Sequence, residues 1–99
     1  MKLLKQNMDD IARICRIHKV SKLFAFGSVL RETFNEESDI DLIVDFDQVS
    51  IEEYADNYFN LKQELESIFN RPVDLLEEQA IRNPYFRKEI DQEKQLIYG

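Results

Sequence analysis

Between residues 39 and 46 apolar Ile40, Leu42, Val44 and Phe46 alternate with Asp39, Asp41, Ile43 and Asp45, a period of two that fits a β-strand and no helix. The two faces are unlike: one is wholly apolar, and the other carries three acids. Such a strand needs a sheet, and the rest of the chain supplies one. Leu23-Phe24-Ala25-Phe26 is a short apolar run that stops at Gly27, as expected of a buried strand, and Val73-Asp74-Leu75-Leu76 and Gln95-Leu96-Ile97-Tyr98 read as two more. Helical spacing fills the intervals. Ile11, Ile14, Cys15 and His18 fall at i, i+3, i+4 and i+7, which predicts a helix over about residues 8–19, with Asp9 and Asp10 at its favourable N-terminus. Ser50 and Glu53 match a capping box ahead of the stripe Tyr54, Tyr58, Leu61, Leu65 and Ile68, and Asn70-Arg71-Pro72 stops that run. Asn83 before Pro84 suits an N-cap and first helical position for a helix to about Ile90. The expected fold is therefore α+β with α/β-like alternation: a small mixed β-sheet of about three to four strands flanked by helices.

No Gly/Ser linker, low-complexity tract or internal repeat divides the chain, and 99 residues suit one domain, so residues 1–99 are expected to fold as a unit. Thirteen Lys plus Arg against twenty Asp plus Glu give a formal charge of -7, which repels phosphate backbones and argues against direct nucleic-acid binding. A lone cysteine, Cys15, forms no intramolecular disulfide, and Met1 opens onto Lys2-Leu3-Leu4-Lys5 with no apolar signal segment or membrane span. A cytoplasmic protein is expected.

Residues 27–46 carry the chemistry. Ser28 suits the N-cap of a brief helix through about Thr33. Gly27 would let a phosphate approach the unpaired N–H groups at that helix N-terminus, with the Ser28 hydroxyl as a further donor. Asp39 and Asp41, two apart on a strand, point the same way and place two carboxylates side by side, which is unfavourable unless a divalent cation neutralises them. Mg²⁺ is the natural occupant, because it takes oxygen ligands and is shared between carboxylates and substrate phosphates. Asp74 lies among apolar residues, where a buried lone charge would need a reason; a strand beside that of Asp39 and Asp41 provides it. Three carboxylates around one or two metal ions suit in-line phosphoryl or nucleotidyl transfer, with the third able to accept a proton.

Other residues have plainer readings. His18 and Cys15 lack the further ligands of a zinc site and are expected to pack. The Tyr54 to Ile68 stripe reads as core, with Phe59 off it. Phe34, Tyr85, Phe86 and Tyr98 are candidates for an exposed apolar patch.

Gly27-Ser28, ten residues, then Asp39-Ile40-Asp41 resembles the signature of the polymerase-β-type nucleotidyltransferase superfamily. The short length, Ser38-Asp39-Ile40-Asp41-Leu42, Arg31 and the tail from Ile81 to Gly99 extend the likeness to the minimal nucleotidyltransferase (MNT) proteins over nearly the whole chain. The resemblance implies a nucleotidyltransferase-like fold and an antitoxin of HEPN/MNT pairs, which uses ATP and Mg²⁺ to adenylylate a tyrosine of a helical HEPN ribonuclease partner. Carried over, Gly27 and Ser28 would bind the triphosphate, with Ser38 as a further nucleotide contact and Arg31 as a supporting phosphate or structural contact. Asp39 and Asp41 would hold the metal ions, and Asp74 would complete the triad. Where many relatives have Ala-Arg-Gly this chain has Leu30-Arg31-Glu32, a bulkier and more acidic helix that points to weaker or altered nucleotide binding. Two rival expectations are a non-catalytic module that neutralises its partner by contact alone and a transferase acting on a small molecule, the latter disfavoured by the little room for an acceptor pocket.

Overall fold

A computed structural model describes residues 2–27 and 39–99. Its elements run α1 (Lys2–Gln6), α2 (Met8–Ile17), β1 (Val20–Phe26), β2 (Ile40–Phe46), α3 (Ile51–Phe69), β3 (Val73–Glu77), a 3-10 turn (Glu78–Ala80), α4 (Pro84–Glu93) and β4 (Gln95–Tyr98). The strands form one sheet in the order β3-β2-β1-β4. β1 is antiparallel to β2 and β4, whereas β2 and β3 are parallel, with the long α3 as the crossover that parallel neighbours require. The mixed sheet expected from the pattern is what forms.

The period-two segment works as its alternation demands. Ile40, Leu42 and Val44 of β2 join Leu23 and Ala25 of β1, Val73 and Leu75 of β3, and Ile97 of β4 in a fully or nearly buried cluster. Ile11, Ile14 and Cys15 of α2 and Leu61, Leu65 and Phe69 of α3 cover it from one side. Each such aliphatic side chain contributes about 1.5–3 kcal/mol by leaving water. Burial pushes the Cys15 thiol up to about 12, so it packs as a small apolar group.

On the opposite face the described residues place α4. Ile43 and Ile90 are wholly buried there, apart from the main cluster. Phe86 meets Phe26 edge-on at 6.3 Å, and Lys94 Nζ lies 4.4 Å from the Phe24 ring centroid. Ion pairs from Arg87 to Glu78 at 2.6 Å and from Lys94 to Asp91 at 3.0 Å tie α4 to the turn after β3 and to itself. This second layer explains why an isoleucine interrupts the acidic face of β2.

Helix ends are set by the caps the sequence displays. Ser50 Oγ accepts from the Glu53 N–H at 3.3 Å, and Asn70 closes α3 in the left-handed conformation. Asn83 Oδ1 accepts from the N–H groups of Tyr85 at 2.9 Å and Phe86 at 3.2 Å ahead of Pro84. Asn83→Ala leaves both donors without that partner, and the expected loss is about 1 kcal/mol, or roughly 4–8 °C in Tm by thermal denaturation.

Several boundaries differ from expectation. α1 and the 3-10 turn have too few residues to show a period, and β1 starts at Val20, before its apolar run, through a register shift between Val20 and Lys22. α2 ends at Ile17, and α4 runs on to Glu93. The brief helix expected from Ser28 lies outside the described residues. His18 packs as expected, with Nε2 2.6 Å from Glu64 Oε2, Nδ1 3.2 Å from Asn57 Oδ1, and its carbonyl accepting from Asn57 Nδ2 at 2.7 Å. Phe59 is 59 % exposed, off the core stripe. Of the aromatic patch, Tyr85 is 85 % exposed and Phe86 partly so, but Tyr98 packs against the core because β4 turns it inward; Phe34 lies outside the described residues.

Candidate active site

The sheet sets the carboxylates in a line. Asp41 is the register partner of Asp74 across the parallel β2–β3 ladder, and of Phe26, the residue before Gly27, across the antiparallel β1–β2 ladder. Asp39 immediately precedes β2, two residues before Asp41, so alternation directs it to the same face. The electrostatics agree: burial, then the charges of Asp74 and Asp39, push the Asp41 carboxyl above its ordinary value of 3.8. Asp41 is half-buried while Asp39 and Asp74 are exposed. The burial expected of Asp74 is thus not found. β3 is an edge strand and Asp74 stands near its start, facing away from the main core.

Gly27 does more than leave room for a ligand. A Cβ built there would sit 2.6 Å from Asp41 Oδ2, and the residue has φ +75. The absent side chain is filled by the carboxylate itself, and the backbone occupies a region L-residues rarely adopt. Nothing in the sequence links Gly27 to Asp41 until the β1–β2 register is known.

β3 is held in place by α3. The Tyr58 hydroxyl donates to the Leu75 carbonyl, and Glu66 Oε2 accepts from the Val73 N–H at 3.0 Å, so both residues flanking Asp74 are tied by side chains of one helix. Burial and then the charges of Asp74 and Glu77 raise the Tyr58 pKa. On the sequence Tyr58 is one more member of a core stripe; its hydroxyl is the sole sign of this second task. Beside β2, the Ile40 N–H donates to the Pro72 carbonyl at 3.1 Å, closing the ladder next to Asp39.

Ser28, Arg31 and Ser38, the other candidate nucleotide contacts, lie outside the described residues, as do Leu30 and Glu32. Among the described residues, no three His, Cys, Asp or Glu side chains already stand as a ligand set for a metal ion. The donors nevertheless fit Mg²⁺ in kind: they are carboxylate oxygens on adjacent strands, and their charges act on one another at Asp41.

That repulsion has a measurable sign. Because the folded chain keeps the Asp41 proton to higher pH than the unfolded chain, its contribution is fully present below 3.8 and is lost as pH rises through the raised value. As pH rises, ionisation of the group works increasingly against folding. In metal-free buffer at pH 7, Asp41→Asn is expected to raise Tm by about 2–4 °C, the effect of roughly 0.5 kcal/mol after solvent screening, and the gain should vanish near pH 3.

The model of the nucleotidyltransferase domain family matches residues 9–97. The chain belongs to that family. It is a nucleotidyltransferase, and its sheet and helices are those of the fold. It is 36% identical over 101 residues to "Putative protein adenylyltransferase MJ1379" of Methanocaldococcus jannaschii, covering 94% of this chain and 98% of the relative. A solved structure of a "putative minimal nucleotidyltransferase" superposes with a TM-score of 0.77 at 26% identity, covering 95% of this chain and 92% of that one. The complex of a tri-AMPylated Shewanella oneidensis HEPN toxin with an MNT antitoxin also shares the fold, with a TM-score of 0.65 at 21% identity over 97% of this chain and 72% of that chain. No helix among the described residues is long and apolar enough to cross a membrane.

Proposed function

We propose that this nucleotidyltransferase transfers AMP from ATP to a tyrosine hydroxyl of a helical HEPN-type toxin, and thereby acts as its antitoxin in the cytoplasm. The observation that carries the reading is the pairing of Asp41 with Asp74 beside Gly27, with Asp39 on the same face. The 36% identical relative named as a protein adenylyltransferase supports a protein as the acceptor. The shared fold of an MNT antitoxin solved with its AMPylated HEPN toxin supports the partner class.

In this reading Asp39, Asp41 and Asp74 hold Mg²⁺, which when bound offsets the negative charge of the triphosphate and of the carboxylates themselves. Gly27 and Ser28 receive the β- and γ-phosphates, with Arg31 and Ser38 as further contacts. The phenol oxygen attacks the α-phosphorus in line. A new O–P bond forms as the bond to the oxygen bridging the α- and β-phosphates breaks, and pyrophosphate leaves with that electron pair. Asp74, on the strand farthest from Gly27, accepts the phenol proton.

The test uses the chain with its HEPN partner and two labelled forms of ATP. Label on the α-phosphate is expected to appear on the partner, label on the γ-phosphate is not, and chelation of divalent cations abolishes transfer. Transfer of the γ-label would mean phosphorylation. Neutralisation of the toxin in cells by an Asp39→Ala/Asp41→Ala variant as well as by wild type would establish inhibition by contact alone.

A further inference from the structure

We propose that the cleft between β3, the 3-10 turn and the start of α4 receives the aromatic ring of the acceptor tyrosine and directs its hydroxyl toward Asp74; this rests on the AMP-transfer reading above. The cleft has a volume of about 300 Å³ and is walled by Leu76, Ala80, Ile81 and Phe86, with Arg82 and Asn83 among its lining residues. An apolar body with polar groups beside it suits a phenol, which has the same division. The volume stands at the lower limit for ligand pockets and accommodates one aromatic ring.

Position favours the acceptor over the nucleotide. Gly27 follows β1, Asp41 is on β2 and Asp74 on β3, so phosphate site, central carboxylate and outer carboxylate follow the order of the sheet. In-line transfer places the nucleophile opposite the departing pyrophosphate, hence on the β3 side. Leu76 lies two residues beyond Asp74 and shares its face, a separation of roughly 7 Å along the strand and about the reach of a tyrosine side chain. Phe86 adjoins the same centre, since it packs on Phe26, the register partner of Asp41. A second cavity, of about 280 Å³, is lined by Phe46, Asp47 and Tyr54 at the far end of β2 and shares Glu77 with the cleft.

The test titrates the methyl-labelled protein with N-acetyl-L-tyrosinamide, N-acetyl-L-serinamide and Mg-ATP separately, and follows the Leu76 and Ile81 methyl resonances by NMR. Tyrosinamide is expected to shift both saturably, and serinamide to leave them in place. Ile81→Trp fills the cleft from a partly exposed position, so it is expected to weaken tyrosinamide binding about tenfold or more. With the HEPN partner as acceptor, it should raise KM for the partner by a similar factor and leave KM for ATP unchanged. Methyls unmoved by tyrosinamide would overturn the proposal. So would methyls that move with Mg-ATP together with a raised KM for ATP, since the cleft would then hold the base. The binding measurement decides the cleft without turnover, whereas failure of the wild type to transfer AMP would refute only the AMP-transfer reading.

Discussion

Replacing Asp39 and Asp41 together by alanine is expected to reduce AMP transfer on the order of 10³-fold or more, about 4 kcal/mol of transition-state stabilisation, without unfolding the chain. The fold survives because neither carboxylate lies in the apolar core: Asp39 is exposed, and burial and then the charges of Asp74 and Asp39 disfavour the ionised form of Asp41. The catalytic loss is large because the pair would hold the Mg²⁺ that offsets the charge accumulating as pyrophosphate departs. Steady-state transfer to the partner, with circular dichroism and thermal denaturation of the same preparations, separates the two effects. A variant with native Tm and wild-type rate would remove these aspartates from the mechanism.

Gly27→Ala is expected to lower transfer by about 10–10²-fold, through geometry rather than charge. The new methyl would lie 2.6 Å from Asp41 Oδ2, so the carboxylate must move, and φ +75 adds about 1–2 kcal/mol of backbone strain. Gly99 is an informative control. It has φ +132 and a Cβ there would press on Lys22 at 2.9 Å, yet it lies beside Ser21 and Lys22, at the end of β1 away from Phe26 and Asp41. Gly99→Ala should lower stability modestly and leave the transfer rate of the folded protein unaltered. Comparable rate losses at both glycines would mean that the Gly27 effect is merely destabilisation.

The contrast between these residues shows what the sequence discloses. Asp39 and Asp41 are legible because strand alternation is a local rule that fixes which side chains share a face. The third strand is legible from its apolar run, but the exposure of Asp74 is not, because it depends on β3 being the edge of the sheet. The Gly27 contact requires the β1–β2 register, and the Tyr58 tie requires the depth at which α3 lies over β3; both join residues far apart in sequence. Ile43 breaks the acidic pattern for a reason that appears only with α4 on that face. Short α1 and the 3-10 turn carry too few residues for periodicity to register.

The most direct measurement is a crystal structure with Mn²⁺ and a non-hydrolysable ATP analogue, with data collected at the manganese absorption edge. Anomalous peaks are expected about 2 Å from carboxylate oxygens of Asp39 and Asp41, with Asp74 on the side away from the β- and γ-phosphates. Manganese bound elsewhere, or Asp74 turned from the ions with the analogue in place, would contradict the carboxylate centre on which the proposed chemistry depends.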